Sequence, residues 1–289
     1  MKDQAEGLRN LVQTQTEKGT RSTRIITVTS GKGGVGKSNF TLNFALSLQA
    51  QGYKVLVFDA DIGLANIDVL MGVSSKFSLY HLLKKDKTIW DIIQKGSNDI
   101  EFIAGGSGFN DLLRLTDDEL NYFADQVMQL NGYVDFIIFD TGAGLSKETL
   151  KFILAAEDTI VVTTPEPTSI TDAYAIIKMV NTMGHDVSFK LVINRVTDSK
   201  EGKQTADKIS LVAKQFLNLQ IPTLGFVDDD PVVSKAVKRQ IPFTIAYPYS
   251  SATKSIQTLA DNYLKGYRVI ETPSSGVKSF LNKMMNLLK

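Results

Sequence analysis

Thr29-Ser30-Gly31-Lys32-Gly33-Gly34-Val35-Gly36-Lys37-Ser38 follows a short apolar run, Ile25-Ile26-Thr27-Val28, and precedes a helical pattern that starts near Asn39. A strand, a glycine-rich loop and a helix in that order are what a phosphate-binding loop requires. The glycines let successive backbone N–H groups turn inward, and the start of the helix adds the positive end of its dipole. The run from Gly31 to Ser38 fits G-x-x-x-x-G-K-[ST]. In that pattern Lys37 reaches the β- and γ-phosphates of a nucleotide and the Ser38 hydroxyl ligates Mg²⁺. The expected nucleotide-binding set is Gly31, Lys32, Gly33, Gly34, Val35, Gly36, Lys37, Ser38 and Asn39. A glycine-rich surface turn is the competing reading, and the flanking strand and helix weigh against it.

The surrounding 289 residues are 43% hydrophobic and 22% charged, a composition that one α/β domain can absorb. A net charge of +1 implies no bulk attraction to nucleic acid, so no nucleic-acid partner is expected. There are no cysteines, which excludes disulfides, thiolate metal sites and cysteine-held iron–sulfur clusters. The opening residues lack a signal peptide's layout and no apolar run is long enough to cross a membrane, so a cytoplasmic location is expected.

Strand-like and helix-like stretches alternate along the chain, which predicts an α/β fold with a mostly parallel twisted sheet of about eight strands flanked by helices. The second strand, Lys54–Phe58, delivers Asp59-Ala60-Asp61 to its C-terminal end, where ligands sit in open α/β sheets. Asp59 is suited to support Mg²⁺ through water or to hold the loop. The run Val134–Asp140 is an apolar strand ending in a carboxylate, and Asp140 is suited to hold Mg²⁺ through its water shell. From Val69 to Ser97 the pattern is helical and mixed. Thr116 and Glu119 form a capping box for a helix near 117–130. Ile241–Ile245 is short and marked by proline, which predicts an edge or irregular segment. Asp228-Asp229-Asp230-Pro231 is placed to cap a helix and approach a base. Thr272–Gly276 reads as a linker. After it, Val277, Phe280, Leu281, Met284, Leu287 and Leu288 form one helical stripe with lysines off it, a pattern that suits an interfacial helix on anionic lipid; a final helix packed on the body is the competing reading, and the detaching linker and the lysines weigh against it. The expected division is a segment 1–24, a nucleotide-binding domain 25–271, and a linker with amphipathic helix 272–289.

The run from Lys32 to Ser38 resembles the deviant Walker A loop of the MinD/ParA group of ATPases. The resemblance implies ATP and Mg²⁺, and a homodimer formed with ATP in which Lys32 contacts the partner's phosphates. Asp61-Ile62-Gly63-Leu64-Ala65-Asn66-Ile67-Asp68 resembles the group's switch I, which implies that Asp61 positions or activates the attacking water beside Lys32 and Lys37. Thr141-Gly142-Ala143-Gly144 resembles its switch II. Asn194-Arg195 resembles the pair that lies against adenine, with Asp228 nearby. Asp3-Gln4-Ala5-Glu6-Gly7-Leu8-Arg9 resembles the activator motif of the FlhG (YlxH/FleN) family, which controls flagellar number and placement. That implies contacts from Gln4, Glu6, Leu8 and Arg9 to the GTPase FlhF, contacts to the flagellar C-ring proteins FliM, FliN or FliY, and peripheral membrane association at the inner face through Phe280, Leu281, Met284, Leu287 and Leu288. A division-site ATPase of MinD type, a DNA-partitioning ATPase of ParA type and a binding scaffold with a degenerate nucleotide site stay open as alternatives.

Overall fold

The computed structural model of the chain describes residues 23–61, 66–105, 117–268 and 276–288. In chain order, β1 (Arg24–Thr29) leads through the glycine loop to α1 (Lys37–Ala50), then β2 (Val55–Ala60) and α2 (Ile67–Met71). Next come α3 (Leu79–Leu83), α4 (Ile89–Ile92), β3 (Ile93–Lys95), a 3-10 turn at Ser97–Asp99, β4 (Glu101–Ile103) and α5 (Asp117–Met128). They are followed by β5 (Phe136–Thr141), α6 (Lys147–Ala155), β6 (Asp158–Thr163), α7 (Pro167–Thr182), β7 (Ser188–Val196) and α8 (Ser199–Leu217). The chain closes with β8 (Thr223–Asp228), α9 (Pro231–Lys238), α10 (Phe243–Ala246), α11 (Ser251–Arg268) and α12 (Gly276–Leu288).

The eight strands form one sheet in the order β3-β4-β2-β5-β1-β6-β7-β8, parallel throughout except for the β3–β4 pair. Helices cover both faces, which is why the central strands read as continuous apolar runs. Side chains alternate all the same. Ile26, Val28, Val55, Val57, Phe136 and Ile138 share one core with α1 and α11. Ile25, Leu56, Phe58, Ile137 and Phe139 share another with α3, α5 and α12. Asp59 and Asp140 lie opposite each other in the β2–β5 register. By that alternation they face the α1 side, and the phenylalanines just before them face away.

Three elements differ from the sequence expectation. The eighth strand is β3, inside a stretch that reads as helical, and it pairs antiparallel with β4 at the sheet edge. Ile241–Ile245 gives no strand. Pro242 is the N-cap of the four-residue α10 instead, because its ring pre-sets φ and has no N–H to leave unpaired. The apolar stripe of α12 packs on the body: Val277, Phe280, Leu281 and Met284 are buried among α5, α6 and β5 residues, and Leu287 packs partly buried beside α6 and α7 residues. The Phe280 ring stacks on Phe139 at 4.9 Å between centroids and 13° between planes. In this conformation the side chains expected to meet lipid face the protein. The linker 272–275, Thr116 and the side chain of Leu288 lie outside the described residues.

Candidate functional site

The glycine loop closes over the C-terminal edge of the sheet. Gly34 and Gly36 take positive φ, 81° and 89°, which glycine adopts without a Cβ clash. Gly36 is also where Asn194 packs: a Cβ there would stand 2.4 Å from the Asn194 amide nitrogen. Asn194 Nδ2 donates to the Val35 carbonyl at 2.7 Å, tying the loop to β7. A Cβ on Gly31 would fall 2.3 Å from the Asp172 carbonyl carbon, so only glycine lets the loop lie on α7. Helix α1 begins at Lys37, and its first N–H groups open toward the space under the loop.

Four charged side chains meet beneath it. Lys37 Nζ lies 2.9 Å from Asp140 Oδ1 and 3.3 Å from Ser38 Oγ. The same Asp140 oxygen accepts the Thr41 hydroxyl at 2.8 Å. Asp140 Oδ2 is buried with no hydrogen-bond partner among the described residues. Asp59 accepts three backbone N–H groups, from Asp61, Asn66 and Ile67, at 3.1, 2.8 and 3.1 Å. Burial pushes Asp59 up to about 7 and neighbouring Asp140 adds to the rise, against those three bonds. Asp61 is half-buried. Burial raises its pKa, with Lys37 opposing and Asp140 assisting.

Two clefts flank the loop. One of about 790 Å³ is walled by Gly33, Gly34, Lys37, Ser38, Asp61, Asn66, Gly142 and Thr149. The other, about 870 Å³, is walled by Glu166, Asn194, Arg195, Asp228, Asp229 and Val233 among others. Gly36, Asn39 and Arg195 line both. Arg195 holds φ 57°, a strained position for a side chain of its size. The layout is a compartment under the glycine loop joined to a second one lined by an amide, a guanidinium and carboxylates.

The residues fit a magnesium nucleotide. Asp140 Oδ2 is an unsatisfied buried acceptor, and Ser38 offers a hydroxyl beside Lys37. Among the described residues no group of three or more His, Cys, Asp or Glu side chains is gathered to hold a metal. Mg²⁺ needs no such cluster, since it keeps its waters and leans on phosphates rather than on a protein cage.

Lys37, Ser38 and Asp61 line one compartment, with Asp140 buried behind Lys37 and Asp59 behind the backbone of Asp61, and Asn194, Arg195 and Asp228 line the next. Lys32 is not in the compartment. Its Nζ donates to Glu166 Oε2 at 2.7 Å and to Thr168 Oγ1 at 3.0 Å, and that bond holds the Glu166 carboxyl below its usual range. Gln4, Glu6, Leu8 and Arg9 lie outside the described residues, as do switch residues 62–65. Sequence reasoning missed Thr41 and Glu166. Thr41 stands one helical turn after Lys37, a spacing that puts both on one side of α1. Glu166 carries no comparable signal, being 134 residues from its partner.

Residues 21–264 match the family model described as ParA: NUBPL iron-transfer P-loop NTPase. The flagellum site-determining protein YlxH of Helicobacter pylori is 36% identical over 296 residues, covering 100% of both chains. The antiactivator FleN of Pseudomonas aeruginosa is 30% identical, with 91% of this chain and 93% of that protein covered. Among solved structures, the septum site-determining protein MinD complexed with Mg-ADP from Pyrococcus horikoshii superposes with a TM-score of 0.69 at 26% identity, over 86% of this chain and 100% of that one.

Proposed function

Because the chain belongs to the ParA/MinD family of P-loop NTPases, on its FlhG (YlxH/FleN) branch, we propose that it is an ATP-hydrolysing switch that controls where and how many flagella form. The nucleotide-binding part of the reading rests on one observation: Lys37 is parked on Asp140 beside the glycine loop, and the second Asp140 oxygen has no partner among the described residues. A phosphate entering the cradle gives Lys37 a second anionic partner. Ser38 and the open oxygen of Asp140 would hold Mg²⁺, which would neutralise charge developing on the transferring phosphoryl group. Asp61 orients the attacking water. Asn194, Arg195 and Asp228 take the adenine, an amide reading its edge and a guanidinium stacking on its face. We extend the reading with what the family resemblance implies: ATP joins two copies of the chain, and Lys32 exchanges Glu166 for the partner's phosphates. Helix α12 leaves the body for an anionic membrane surface. The segment containing Gln4, Glu6, Leu8 and Arg9 stimulates FlhF, and the C-ring proteins FliM, FliN or FliY are further partners.

The test is light scattering combined with phosphate release. Asp61→Ala is expected to bind ATP, form a lasting dimer and turn over little. Lys32→Ala is expected to bind nucleotide and stay monomeric. Hydrolysis by Asp61→Ala at the wild-type rate would remove Asp61 from its role.

A further inference from the structure

We propose that Asp59 is the clamp of the switch loop, a positioning residue rather than a holder of the cation. Its side chain is 1% exposed. Oδ1 accepts the N–H of Asp61, the residue that leaves β2. Oδ2 accepts those of Asn66 and Ile67, the residues that open α2. One carboxylate therefore gathers both ends of the loop that carries Asp61.

Asn66 makes no side-chain cap for α2, so Asp59 satisfies that helix start from a neighbouring strand. A carboxylate oxygen has about two lone-pair directions, and those of Oδ2 are both taken. Binding a cation's water through Oδ2 would break the hold on Asn66 or Ile67. Asp140, beside it in the β2–β5 register, has the opposite inventory: Lys37 and Thr41 on one oxygen, and nothing among the described residues on the other. The two aspartates divide the labour: Asp140 pairs with Lys37 and keeps a whole oxygen open, whereas Asp59 spends three of about four acceptor directions on backbone N–H groups, leaving one on Oδ1.

The consequence is a loop with fixed ends. Asp59 sets the backbone of Asp61, and the carboxylate of Asp61 reaches the phosphate cleft from that anchor. This rests on the reading of Asp61 as the water-positioning residue.

Asp59→Asn separates the alternatives. The amide keeps the shape but must turn an NH₂ toward the Asp61 N–H or toward the Asn66 and Ile67 pair, setting donor against donor. We expect kcat to fall about tenfold or more, since small misplacements near the reacting atoms carry such costs. ATP affinity and the Mg²⁺ concentration for half-maximal rate should stay within roughly twofold, the signature of lost positioning without lost binding. Ser38→Ala is the comparison and should raise the Mg²⁺ requirement. If Asp59→Asn raises it too, and high Mg²⁺ restores kcat, Asp59 holds the cation and the clamp is overturned. Hydrogen exchange on the unaltered protein gives a reading independent of folding of the variant. The amides of Asp61, Asn66 and Ile67 should be protected without nucleotide, and exchange at free-peptide rates would also overturn the clamp. Full activity in Asp61→Ala would instead defeat the underlying reading while leaving the exchange and Mg²⁺ results to stand or fall alone.

Discussion

Phe280→Ala should unlatch α12 while leaving the sheet folded. The Phe280 ring is buried, stacks on Phe139 at 4.9 Å and meets Phe152 at 6.2 Å. Truncating a packed phenylalanine costs about 3–5 kcal/mol, transfer and cavity together. At about 1.4 kcal/mol per factor of ten, the ratio of docked to open helix should fall by roughly two to three and a half orders of magnitude. The loss falls on one helix because α12 is held mainly by this stripe, whereas β1 and β5 are locked by their ladders and by α1 and α11 on the other face. Amide hydrogen exchange reads it directly: protection at 277–288 should drop by about 10²-fold or more, with β1 and β5 close to wild type, the pattern of a locally opening unit. Unchanged protection in α12 would show that Phe280 does not hold the helix. An equal loss across the sheet would show that α12 belongs to the global folding unit and cannot act as a separable element.

Thr41→Val removes a hydroxyl from the buried Asp140 carboxylate. It should lower stability by about 1.5–3 kcal/mol, the usual range for a hydrogen bond to a charged group, and urea melts showing no change would refute the role. At the other end of the sheet, burial pushes the Asp158 pKa up, but Lys190, Arg24 and Tyr263 outweigh it and hold the group below its ordinary 3.8. A depressed folded value means stability is fully present above the unfolded pKa and is lost as pH falls through the folded one. Acid denaturation should therefore steepen below the unfolded value of 3.8, and Asp158→Asn should flatten that limb while lowering stability at neutral pH, since Lys190 loses its carboxylate partner although Arg24 keeps its ion pair with Glu157.

The central strands and the phosphate loop were legible because both are local. Continuous apolar runs, glycines at fixed offsets and a lysine at the helix start each fall within ten residues. Asp140 was legible as a strand-terminal carboxylate, but its Thr41 contact needed the three-dimensional return of α1. β3 was hidden because three residues, Ile93–Lys95, give too short a period to separate from the helical turn before them. Pro242 marks a boundary in the chain equally well for an edge strand and for a helix start. The α12 stripe was visible, but an apolar stripe on a helix describes a core face and a lipid face with the same spacing. Only the packing of Val277, Phe280, Leu281 and Met284 on the body decides which one this conformation uses. The Lys32–Glu166 bond was beyond the sequence, since nothing local in either segment names its partner.

The most direct test of the switch is sedimentation with vesicles containing anionic lipid, in ATP and in ADP, for the full chain and for one ending at Pro273. The full chain should be retained with ATP and released with ADP, and the shortened chain should bind in neither state. Equal binding in both nucleotides, or undiminished binding of the shortened chain, would contradict it.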